Sequence, residues 1–82
     1  MHERKYKIEK NQIVRRCDGV PIPDDEPLFI LRAQDVNALP MIMAYHAICL
    51  NLRHQANVIM SIKDFKNFKT KHPERMKEPD SE

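Results

Sequence analysis

Polar and apolar residues alternate strictly at the front of the chain. In Arg4-Lys5-Tyr6-Lys7-Ile8-Glu9 the period is two, which predicts a half-buried strand with Tyr6 and Ile8 turned inward. Lys10-Asn11 reads as a tight turn, and Ile13, Val14 and Arg15 centre a second strand over 12–17. Asp18-Gly19 holds the chain's single glycine, the residue that supplies a positive φ at no steric cost. Pro21 and Pro23 keep 20–23 extended and bar it from the middle of a sheet. The next pattern is a run rather than an alternation. Leu28-Phe29-Ile30-Leu31 stands between Asp24-Asp25-Glu26 and Arg32, too short to span a membrane and suited to a strand covered on both faces. Residues 27–32 are therefore expected to form a third, central strand.

Beyond Pro40 the period lengthens. Proline fits the first turn of a helix, where its missing N–H leaves no bond unmade. A helix is predicted from Leu39 to about Arg53, with Asp35 and Asn37 ahead of it as caps of an opening turn. Met41, Ile42, Tyr45, Ile48, Cys49 and Leu52 share one broad face of such a helix, and Met43, Ala47, Leu50 and His54 line the far side. A helix apolar on two sides is covered on two sides. One cover is the sheet, and in a chain of 82 residues the simplest second cover is another copy of the chain. Residues 56–60 read as a short edge strand. Ser61-x-x-Asp64 resembles a capping box that opens a second helix over about 62–71, with Ile62, Phe65 and Phe68 on its inner face. His72-Pro73 stops it. The expected organisation is one α+β domain over 1–73 and a loosely ordered charged tail over 74–82. The domain is a three- or four-stranded, mainly antiparallel sheet with two helices packed on one face.

Composition narrows the chemistry. The formal net charge is +2, with Lys5, Lys7, Lys10, Arg15 and Arg16 near the front and Lys63, Lys66, Lys69 and Lys71 on the second helix. Two basic regions of this kind attract a small anion without making a general nucleic-acid binder, and no aromatic stacking platform accompanies the lysines. No apolar stretch is long enough for a membrane span and no secretory signal is evident, so a cytoplasmic protein is expected. Cys17 and Cys49 lie far apart and read as structural thiols. The cysteines and histidines lack the spacing of a zinc site, no cofactor motif occurs, and no nucleophile–base pair can be assembled, so an enzyme is not expected.

Arg32 is the strongest candidate for a ligand contact. It ends the expected buried strand beside Gln34 and Asp35, and a guanidinium receives phosphate or carboxylate with two parallel hydrogen bonds. The plainer alternative is an Arg32–Asp35 or Arg32–Glu26 ion pair that fixes the turn. Arg16 and His46 complete the candidate set. Arg15 and Arg16 point to opposite faces of their strand, so at most one can join Arg32.

The segment Asp18-Gly19-Val20-Pro21-Ile22-Pro23-Asp24-Asp25-Glu26-Pro27-Leu28-Phe29-Ile30-Leu31-Arg32-Ala33-Gln34-Asp35, followed by a proline-initiated helix, resembles a stretch of small bacteriophage and prophage proteins. The resemblance implies a phage accessory protein of the host cytoplasm. Many such proteins counter host defence, some by trapping nucleotide signals in pockets of a small oligomer. The expectation is thus a non-enzymatic homo-oligomer that holds a phosphate-bearing nucleotide near Arg32. The alternative is an inhibitor that docks its helix surface on a host protein.

Overall fold

The computed structural model describes residues 4–79. Its elements, in order, are strands β1 (Tyr6–Glu9) and β2 (Gln12–Arg15), helices α1 (Ala38–Ile48) and α2 (Leu52–Lys71), and a 3-10 turn, Pro73–Arg75. The class is α+β: two helices and a two-stranded antiparallel sheet.

The hairpin follows from its turns. Lys10 and Asn11 both take positive φ, 51° and 63°, as a two-residue type I′ connection requires. The register then pairs Tyr6 with Arg15 and Ile8 with Ile13. Gly19, at φ 72°, closes the next turn: its N–H donates to the Arg15 carbonyl at 2.8 Å, and the Asp18 carboxylate accepts the Val20 N–H at 3.0 Å. The chain then runs back along β2. Arg15 N–H bonds the Val20 carbonyl, Ile22 N–H bonds the Ile13 carbonyl, and Val14 and Pro21 form a single bridge. Pro21 has no N–H to give, so the pairing goes no further.

That short bridge corrects the expected sheet. Residues 27–32 are not a strand, central or otherwise, because the outer edge of β2 is already taken by 20–22. Phe29 is 84% and Ile30 70% exposed, and Leu28 is exposed too. Residues 56–60 are not a strand either; they lie inside α2. Ile8, expected inward, is 65% exposed.

The helical half divides elsewhere than the periodicity suggested. The Asp35 carboxylate accepts the Asn37 N–H at 2.8 Å, the Ala38 N–H bonds the Asp35 carbonyl, and α1 starts there with Pro40 in its first turn. α1 stops at Ile48 rather than near Arg53, because Asn51 is an N-cap. Its side chain accepts the His54 N–H at 2.9 Å and opens a helix of 20 residues. Gln55 clamps the corner by donating from its amide to the Cys49 carbonyl. Ser61 therefore sits within α2 and caps nothing. The two helices pack against each other across a three-residue connection and are held by a Tyr45 hydroxyl–His54 Nε2 bond of 2.9 Å with the rings edge to face. α2 is tied to the hairpin by Arg4, whose guanidinium donates to Asp64 at 2.7 Å.

The start of the expected loose tail is pinned. Lys77 donates its N–H to the Gln34 carbonyl and accepts the Val36 N–H, a parallel bridge to Asp35. Residues 80–82 of that tail lie outside the described residues.

Packing is sparse. Val14, Ala38 and Val58 are the buried apolar residues among those described. The chain exposes 6896 Å², whereas a folded monomer of its 9.7 kDa exposes about 5,100 Å². Its radius of gyration is 13.9 Å, against about 12 Å for a well-packed chain of this length.

Candidate functional site

A cleft of about 120 Å³ opens where the 32–34 turn meets the end of α2, lined by Arg32, Ala33, Gln34, Phe68 and Arg75. Three local devices build it. The Asp35 N–H bonds the Arg32 carbonyl at 3.0 Å, which curls 32–35 into a turn. The Lys77 bridge holds that turn against the segment after α2. The C-terminal turn of α2 ends at His72, whose N–H returns to the Phe68 carbonyl at 2.8 Å, and Pro73 starts the 3-10 turn that swings Arg75 back over the helix. The Arg75 guanidinium lies 4.8 Å from the centroid of the Phe68 ring, and the His72 ring flanks Phe68 at 5.3 Å. His72 Nδ1 sits 3.6 Å from Glu74.

The electrostatics of the cleft are one-sided. Neither Arg32 nor Arg75 forms an ion pair among the described residues, so the Arg32–Asp35 and Arg32–Glu26 pairs are not made there. Two guanidinium groups and the Gln34 amide thus border one small space that Phe68 also lines. Guanidinium groups are planar forks of N–H donors and match carboxylate and phosphate oxygens.

Of the residues singled out from the sequence, Arg32 and Gln34 come together here. Asp35 adjoins them, but its carboxylate is engaged by the N–H of Asn37 in the turn that leads into α1. Arg16 lies in the turn after β2, its N–H on the Lys5 carbonyl, and is not in the cleft lining; neither is His46, half-buried in the last turn of α1. The second apolar stripe is broken up. Met43 and Ala47 stay on α1 and are exposed, Leu50 falls in the connection at 93% exposure, and His54 belongs to α2 and bonds Tyr45. Phe68 and Arg75 are the residues that the sequence reading missed. Phe68 reads as core by its spacing, and Arg75 follows a helix-stopping His72-Pro73 in what reads as a tail.

Elsewhere, Arg15 makes a local knot with Asp18 and Cys17 Sγ on the hairpin end. The contact with Cys17, and then the Asp18 charge, raise its pKa further above the ordinary arginine value, which leaves its charge unchanged. Cys17 and Cys49 are free thiols. Among the described residues no three His, Cys, Asp or Glu side chains gather to hold a metal ion, and no helix is long and apolar enough to cross a membrane. The chain matches no protein-family model, and no curated protein or solved structure is similar enough to bear on its function.

Proposed function

We propose that this chain is a non-enzymatic binding protein that takes the phosphate of a small ligand into the Arg32–Gln34–Arg75 cleft. The observation that carries the reading is that two guanidinium groups without a carboxylate partner, Arg32 and Arg75, line one cleft with Phe68. Volume limits what enters. Sites for whole drug-sized ligands run to about 300–1,000 Å³. A cleft of about 120 Å³ suits a phosphate or carboxylate head group, with the rest of the ligand lying outside it. The resemblance of 18–35 to phage accessory proteins favours a nucleotide signal as the source of that phosphate, and so an anti-defence role in the host cytoplasm. Arg16 and His46 have no part in this reading.

The chain would work as a small homo-oligomer, with exposed Met43, Ala47 and Leu50 among the apolar side chains that a second copy covers. The same exposed surface favours one other reading, an inhibitor that places it against a host protein. Melting temperature measured against a panel of mono-, di- and cyclic nucleotides and inorganic phosphate separates the two. A ligand at a hundredfold excess over its Kd stabilises by about 2.7 kcal/mol, a shift of many degrees in so small a domain. No shift with any phosphate-bearing compound leaves the inhibitor reading.

A further inference from the structure

Residues 28–31 carry a contradiction within one chain. They are apolar, Leu28, Phe29 and Ile30 are exposed, and none of the four has a backbone partner for its N–H or C=O among the described residues. A backbone of this kind still has its N–H and C=O groups to pair. The sheet of the same chain has an open place. β2 is paired on both sides, by β1 and by the 20–22 bridge, whereas β1 pairs with β2 alone among the described residues, so its outer edge is open. Tyr6, Ile8 and Ile13 share one face of the hairpin, where Tyr6 and Ile13 are half-buried and Ile8 is largely in solvent.

We propose that residues 28–31 add to the outer edge of β1 in a second copy of the chain, and that the two copies exchange this strand reciprocally. Three observations favour a second copy as the occupant. First, donor and acceptor are both present in one sequence, so a twofold pair fills the β1 edge of each copy at once and closes the exchange at two copies. Second, the chain exposes about 1,800 Å² more than a monomer of its mass, and a stable dimer buries about 800 Å² per partner. Third, the charges match. Asp24, Asp25 and Glu26 precede the run and Lys10 follows β1, so an antiparallel addition brings the acidic turn to that lysine. The exchange needs no ligand and stands apart from the anion reading: its failure leaves the cleft as described, and an empty cleft leaves the dimer.

Sedimentation velocity of the full chain over a wide concentration range is the first test, with Phe29→Pro and Ile30→Pro as variants. Successive residues of a strand aim their N–H groups to opposite sides, so one of the two prolines must remove a bonded N–H. Neither N–H has a partner in the single chain, so both variants keep wild-type circular dichroism. The expected result is a wild-type dimer and, for one proline variant, a dimer dissociation constant raised by about 100-fold or more. Cross-linking gives the partner edge. With Cys17 and Cys49 replaced by serine, a mixture of Ile8→Cys and Phe29→Cys chains should form the mixed disulfide under mild oxidation. A wild type that stays monomeric throughout, a dimer indifferent to both prolines, or disulfides formed only between two Phe29→Cys chains would each overturn the exchange.

Discussion

Arg75 covers the face of Phe68 with its guanidinium 4.8 Å from the ring centroid, although six residues and a helix terminus separate them in the chain. The contact turns a side chain of the C-terminal segment into a wall of the cleft. It also leaves the charge of Arg75 free to meet an anion, because a ring face attracts the cation without neutralising it. Arg75→Gln should lower phosphate affinity at least tenfold. Its effect on folding should be small, about 0.5–1 kcal/mol for a cation–π contact at an exposed site, read from urea unfolding. A variant that unfolds outright, or one that binds phosphate as wild type does, contradicts this role.

Asn51 and Ser61 make a matched pair for the helix boundary. Asn51→Ala removes the acceptor for the His54 N–H and should cost about 0.5–2 kcal/mol, the range for lost N-caps. Ser61→Ala lies within α2, where alanine is the better helix former, and should be neutral or slightly stabilising. Urea unfolding of both variants checks the order. A larger loss at Ser61 would restore a helix start there.

The two hairpin turns respond to substitution with opposite signs. Gly19→Ala should destabilise by about 1–2 kcal/mol. That cost is backbone strain at φ 72°, since an added Cβ meets nothing within 4 Å. Lys10→Asn should stabilise by a few tenths of a kcal/mol or more, because asparagine tolerates the left-handed conformation that Lys10 holds at φ 51° better than lysine does. Thermal melts of the two variants, compared at one protein concentration, give the signs.

Legibility along the chain follows locality. Lys10-Asn11, Asp18-Gly19 and the Pro40 helix start depend on residues within a few positions, and each lies where the pattern puts it. The α1–α2 boundary was hidden because apolar residues continue at helical spacing straight across Asn51, and the cap signal had to outweigh them. Val58 and Ile59 read as strand formers, but a helix opened at Asn51 carries them along. Residues 27–32 show the reverse limit. Their composition asks for a sheet, and which edge is open depends on where Pro21 lands, a relation between distant turns. Arg32 and Gln34 were legible as one end of a site. Arg75 was not, since only the fold of the His72-Pro73 corner brings it near.

Arg32 is where the account can be tested most directly. Neither Asp35 nor Glu26 pairs with it among the described residues, so Arg32→Lys breaks no ion pair of the fold and should change stability by less than about 1 kcal/mol. The lysine keeps the charge and gives up the planar fork. Isothermal titration calorimetry of the wild type and of Arg32→Lys, against inorganic phosphate and the nucleotide that most raises the melting temperature, is the deciding measurement. The account predicts saturable binding by the wild type and a loss of tenfold or more in the variant. Equal affinities for the two proteins, or no heat of binding to the wild type, would contradict it.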